Sequence, residues 1–82
     1  MKLRLESVFE TVHADAVLRS LEPELETPVT ERSRMEMRAD GSGLHLVINA
    51  DDIISMRSSL NTWLRLVQVA CEVASLQEEL AD

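Results

Sequence analysis

Tyrosine is absent from the 82 residues, and one Trp and one Phe are the only aromatic side chains. A platform of several rings on which nucleic-acid bases could stack is therefore excluded. A single cysteine, Cys71, rules out an intramolecular disulfide framework and a cysteine-built zinc site. Basic residues are scarce: Lys and Arg total 8 against 15 Asp and Glu, a formal charge of −7. That field repels phosphate and argues against generic nucleic-acid coating. No run of about 20 apolar residues exists, so no membrane span is expected. The opening Met1-Lys2-Leu3-Arg4-Leu5-Glu6 sets charges among its apolar residues and lacks a signal-peptide profile, so a cytoplasmic location is expected. What is present is ordinary for a globular protein: 45% apolar and 28% charged residues. Residues 1–82 fit one domain, near the size at which a single core is only marginally stable, so stabilisation by a partner is in keeping with the length.

The chain begins with an alternation. Leu3 and Leu5 point one way and Lys2, Arg4 and Glu6 the other, which predicts a half-buried strand to about Val8 or Phe9. Thr11 is then suited to cap a helix whose Ala14, Val17, Leu18 and Leu21 share one face. Pro23 is expected to end that helix, and Glu22–Thr30 reads as a solvated connection. Alternation returns from Arg32 to Ala39, with Ser33, Met35, Met37 and Ala39 on one side. Asp40-Gly41-Ser42-Gly43 is a turn whose glycines can supply positive φ. Leu44, Leu46, Ile48 and Ala50 follow on the apolar side, completing a hairpin with one greasy face. Asp51 or Asp52 caps the next helix.

No Gly or Pro interrupts Ile53 to Leu80, which predicts a helix of roughly 43 Å at 1.5 Å per residue. A domain of this length has a diameter of roughly 30 Å, so the helix overhangs its own body. Its apolar residues form two seams. One comprises Ile53, Met56, Leu60, Trp63, Val67, Ala70 and Ala74; the other Leu66, Val69, Val73, Leu76 and Leu80. A three-stranded sheet can cover one seam, so the second implies a partner. The expected fold is α+β, in the order β-α-β-β-α: a three-stranded antiparallel sheet with both helices on its apolar face and a long C-terminal helix. The other sheet face then carries Lys2, Arg4, Arg32, Arg34 and Arg38 against Glu6 and Glu36, a local surplus of +3. Two readings stay open for it: cross-strand ion pairing on a solvated surface, or a patch that contacts phosphate.

Candidate chemistry is thin. His13 and His45 fall on different elements with no carboxylate or cysteine at ligand spacing, so neither a metal nor a cofactor is expected. Cys71 sits mid-helix among Val69, Ala70 and Val73, where a thiol acts as a small hydrophobe. Asp51-Asp52 and Glu78-Glu79 suit a helix cap and a helix end better than acid–base work. Gly41-Ser42-Gly43 joins two strands rather than opening a helix, which weakens any phosphate-loop reading. Met35, Met37 and Met56 read as core filler. No catalytic residue is assigned.

Two stretches are more specific. Ser20-Leu21-Glu22-Pro23-Glu24 closes the first helix, and Met56-Arg57-Ser58-Ser59-Leu60-Asn61-Thr62-Trp63-Leu64-Arg65 follows an Ala50-Asp51-Asp52 entry to the second. With their spacing and the hairpin between them, they resemble the Pcc family, the small dimerising subunit of the KEOPS complex, over roughly residues 1–75. Met56 stands where that family usually has leucine, Ser58 where alanine is common and Thr62 where serine is common. The resemblance implies a non-catalytic scaffold that pairs with itself or a paralogue. It also implies docking onto the N-terminal helices of the Kae-type threonylcarbamoyltransferase subunit, in support of threonylcarbamoyladenosine formation in tRNA. Candidate partner or dimer residues are Leu60, Trp63, Leu64, Leu66, Val67, Val69, Ala70 and Val73, with core as the other place open to Trp63. Candidate RNA contacts are Arg32, Arg34, Arg38, Arg57 and Asn61. For Arg57 and Asn61, four apart on one helix face, a hydrogen bond to the preceding loop or to Glu24 is the other reading. The competing functions are a stand-alone RNA-binding domain of the K-homology kind, which needs a G-x-x-G loop that is absent here, and a generic dimeric adaptor with no RNA connection.

Overall fold

A computed structural model describes residues 2–26 and 30–81, with side chains through 77. The opening alternation becomes β1 (Leu3–Phe9), whose odd-numbered residues turn inward and whose even-numbered ones face solvent. There follow α1 (Ala14–Leu25), β2 (Ser33–Asp40), β3 (Gly43–Ala50) and α2 (Ile53–Ala81). The order is β-α-β-β-α, as the sequence predicts. The strands form one sheet in the order β1-β3-β2, with β3 antiparallel to both neighbours. In one row Leu5, Ile48 and Met35 stand side by side; in the next, on the opposite face, Arg4, Asn49 and Arg34. The centre of the sheet falls to the most apolar strand: Leu44, Leu46, Ile48 and Ala50 are all buried, while Leu3, Leu5, Met35 and Met37 on the edges are half-buried.

Both helices lie on the apolar face, α1 mainly over β2 and α2 over β3 and β2. Ala14, Val17 and Leu21 of α1 meet Leu44, Leu46, Trp63 and Val67 in the main core, and Ile48, Ala50 and Met56 form a second cluster. Of the two places open to Trp63, the structure takes the core, where only 3% of the residue is exposed.

Three local expectations are corrected. Thr11 does not cap α1: its hydroxyl accepts the His13 N–H at 3.1 Å, closing a turn before the helix, and the cap position falls to His13, whose side chain does not cap the helix N–H groups. Pro23 does not end α1, which runs on to Leu25. In its last turn a proline sacrifices one helical hydrogen bond, and Leu25 packs against the core on the far side of it. The connection is therefore shorter than Glu22–Thr30, and its residues 27–29 lie outside the described ones. Ile53, assigned to the inward seam, is 57% exposed. It is the first residue of α2, and the inward positions of that end go to Ser55, Met56 and Ser59.

Those buried serines were not anticipated. Thr30 Oγ1 donates to Ser33 Oγ at 3.1 Å, and Ser33 and Ser59 share a hydroxyl hydrogen bond that ties the start of β2 to α2. Asp52 is the helix cap: its Oδ1 accepts the Ser55 N–H at 2.7 Å, and its carbonyl accepts the Met56 N–H at 3.1 Å. The Ser55 hydrogen bonds, with Arg32 contributing less, hold the Asp52 carboxyl below the usual carboxylate range. A group depressed on folding adds stability above its unfolded pKa, so this cap weakens as pH falls through the lowered value.

At the β2–β3 turn only Gly43 has positive φ, 133°. A Cβ there would press on the Phe9 carbonyl and lie 3.1 Å from Glu10 Cα, whereas one on Gly41 meets nothing within 4 Å. Gly43→Ala is expected to cost at least ~2 kcal/mol from strain and clash. Gly41→Ala is expected to stay within about 0.5 kcal/mol of wild type. Urea denaturation of the pair checks this, and equal midpoints would contradict it.

At 29 residues, α2 spans about 43 Å, and the molecule measures 49 × 21 × 17 Å. An eight-residue strand covers only about 26 Å. The C-terminal part of α2 therefore runs past the sheet.

Candidate functional site

The overhang leaves apolar surface uncovered. Along α2, Leu66, Val69, Val73 and Leu76 recur at three- and four-residue spacing beside the inward seam. Leu66 packs against the core, but Val69, Val73 and Leu76 are 52%, 48% and 54% exposed. Between this stripe and α1 runs an open groove of about 420 Å³, floored by Leu21, Leu66, Ala70 and Ala74 and edged by Ala16 and Ser20. Of the second seam expected from the sequence, Leu66, Val69 and Val73 line this groove and Leu76 is exposed outside its lining; Leu80 falls outside the described side chains. Covering the exposed halves of Val69, Val73 and Leu76 is worth about 2–4 kcal/mol.

A second strip lies on another flank of α2. Ile53, Leu60 and Leu64 recur at seven- and four-residue spacing. Leu60 is half-buried with Leu3 and Leu5 against the second core cluster, and Leu64 is 40% exposed. Beside them β1 pairs only with β3 among the described residues, which leaves its other hydrogen-bonding edge open. The eight interface candidates thus separate. Leu66, Val69, Ala70 and Val73 belong to the groove, and Leu60 and Leu64 to the β1 side. Trp63 and Val67 are sealed in the chain's own core and present no surface.

The open sheet face is less basic than the sequence suggests. Register adds Asp40, and Arg32, just before β2, turns to Asp52 at the start of α2, so Lys2, Arg4, Arg34 and Arg38 stand against Glu6, Glu36 and Asp40, a surplus of 4 − 3 = +1. Of the five cations that the sequence places on this face, three are paired: Arg4 with Glu6 at 2.6 Å, Arg38 with Asp40 at 2.8 Å and Arg32 with the helix cap Asp52 at 3.2 Å. Residues two apart on a strand share a face, so Glu6 and Asp40 are the natural partners of Arg4 and Arg38. Such exposed pairs add little stability, yet they cancel local charge. Among the described residues, Lys2 and Arg34 have no ion pair. Arg57 and Asn61 are exposed and make no side-chain hydrogen bond to Glu24 or to the loop before α2.

Sequence reading missed a cluster at the hairpin tip. Asp40 Oδ1 accepts from the Ser42 N–H at 2.8 Å and the Ser42 hydroxyl at 2.6 Å, with His45 Nε2 at 2.9 Å. Ser42 leads, and His45 follows, in holding the Asp40 carboxyl far below the usual carboxylate range. Aspartate, histidine and serine are the components of a hydrolytic triad, but Ser42 Oγ approaches the same ring nitrogen, at 3.0 Å. A relay needs the two imidazole nitrogens on different partners, so the cluster fastens the turn. Cys71 is half-buried, and burial pushes its thiol pKa up, away from the reactive thiolate. No helix among the described residues is long and apolar enough to cross a membrane.

No curated protein gives a significant match to the chain. A family model does: the one described as transcription factor Pcc1 matches residues 2–75, from β1 to deep into α2. With the β-α-β-β-α layer and the motif-bearing helix ends in place, the chain belongs to the Pcc1 family, a family of non-catalytic KEOPS subunits.

Proposed function

We propose that this protein is a dimerising scaffold of the KEOPS complex in the cytoplasm. It supports threonylcarbamoyladenosine formation in tRNA by seating helices of the Kae-type transferase subunit, and it makes a limited RNA contact of its own. The observation that carries this reading is the uncovered stripe Val69–Val73–Leu76 beside a groove between two helices. A helix hairpin laid there completes a helical bundle and buries apolar area that the 82-residue chain leaves in water.

The β1 edge and the Leu60–Leu64 flank suit the second association, with another copy or a paralogue. Strand addition satisfies the open backbone groups of β1, while the two helix flanks close over Leu3 and Leu5. In light scattering at micromolar concentration the chain is expected at twice its 9.2 kDa mass. Leu64→Asp is expected to give a folded monomer, because a half-exposed position tolerates the charge until a partner buries it. A wild-type monomer with an undiminished thermal transition would count against dimerisation. Separately, absence of co-elution with the transferase would count against the groove.

A further inference from the structure

At one end of the open sheet face, where β1 and β2 begin and β3 ends, lies a cleft of about 450 Å³. Lys2, Arg34 and Asn49 contribute donors to it, Arg32 stands at its side, and Glu31 and Asp51 also line it. Register explains the convergence: Asn49 lies between Arg4 and Arg34 in a single cross-strand row, with strands about 4.8 Å apart. What separates this cleft from the rest of the face is pairing. Arg4, Arg32 and Arg38 each hold a carboxylate, whereas Arg34 and Lys2 hold none among the described residues. An incoming anion at Arg34 displaces no existing partner, while one at Arg38 must compete with Asp40.

We propose that this cleft binds one phosphate group of an RNA backbone, through the Arg34 guanidinium, the Lys2 ammonium and the Asn49 amide. The inference rests on the RNA contact proposed above and narrows it from a basic face to one site. Guanidinium and amide donors side by side suit phosphate oxygens. The nearby carboxylates keep the affinity low, as befits a contact that adds to a larger assembly rather than one that recruits RNA alone.

The test is fluorescence anisotropy of a labelled tRNA transcript with the full chain at about 50 mM salt, where phosphate contacts are strongest. Inorganic phosphate is titrated in parallel to distinguish backbone from free phosphate. Arg34→Ala is expected to weaken RNA binding roughly tenfold and to reduce the salt slope by about 1. Arg38→Ala is expected to change it less than twofold, and Asp51→Asn, which removes a charge but leaves the Asp52 cap intact, to strengthen it. Equal losses at Arg34 and Arg38 would overturn the site in favour of a diffuse field. Displacement of RNA by millimolar phosphate supports a phosphate-sized site; saturation by inorganic phosphate with no RNA binding overturns the RNA assignment. If wild type binds no RNA even when assembled with the transferase, the RNA contact itself fails. If Arg34→Ala alone behaves as wild type, only the cleft fails.

Discussion

Val69→Asp is expected to abolish co-elution with the transferase subunit while leaving the isolated fold intact. Val69 is 52% exposed on the groove wall, so in the free chain the new carboxylate stays hydrated. Val and Asp have similar helix propensities, so the direct cost is the lost burial of half a valine side chain, about 1 kcal/mol, too little to unfold the domain. In the complex the same carboxylate is enclosed among apolar groups, at a cost of several kcal/mol that Arg65, one helical turn earlier on the groove wall, offsets only in part. Each 1.4 kcal/mol is tenfold in affinity, so the loss is expected to exceed roughly 100-fold. Ile54→Asp is the control. Ile54 is the more exposed apolar side chain, at 77%, but it lies in the first turn of α2, outside the groove. Binding is expected to survive that change. Titration calorimetry with unfolding in urea separates the outcomes, and unchanged affinity in Val69→Asp would remove the groove from the interface.

Trp63→Ala is expected to have the largest effect on the fold. Trp63 is buried against Leu44, Leu46, Val17 and Val67, where strand and helices meet. Deleting a buried indole costs about 3–5 kcal/mol in lost transfer energy and cavity. A chain of 82 residues has about 4–12 kcal/mol to lose. The melting temperature is expected to fall by roughly 15–30 °C, followed by circular dichroism because the change removes the sole tryptophan. A variant that kept its transition but lost its dimer would place Trp63 at an interface and contradict the packing. The pair of variants is also expected to divide the helix, with Trp63 acting on the fold and Val69, six residues on, on association.

The reason that one helix holds both roles was partly legible in the sequence. Two apolar stripes on a helix longer than its domain already implied a surplus, and the exposed Val69, Val73 and Leu76 are that surplus. The stripe boundaries were less legible. Ile53 continues the heptad spacing of the inward seam, but in the first turn of α2 it is Ser55 and Met56 that face inward, Met56 beside Ile48 and Ala50 of β3, and spacing cannot tell which side a helix turns to the sheet where it starts. Ser55 and Ser59 read as breaks in the apolar pattern, yet they are buried, because Ser33 supplies a hydroxyl partner 26 residues away in sequence for Ser59. A polar residue at an inward position becomes intelligible only once its partner is located.

The sheet's outer face illustrates the same division. Alternation alone determined that Arg34 and Arg38 share it, and periodicity determined the three strands, the two helices and their order. Those are local properties, fixed by which side of a strand or helix each residue occupies. Only the tertiary structure decided that Arg32 turns to the α2 cap, that Asp40 enters the face and engages Arg38 and His45, and that Arg34 is left without a carboxylate. It likewise decided that α1 leans toward β2, opening a groove on one flank of α2 and baring β1 on the other. The Arg32–Asp52 pair and the groove depend on distances between segments far apart in the chain, about which an alternating or heptad pattern carries no information, and the local Arg38–Asp40 pair follows only once β2 is seen to run on through Asp40.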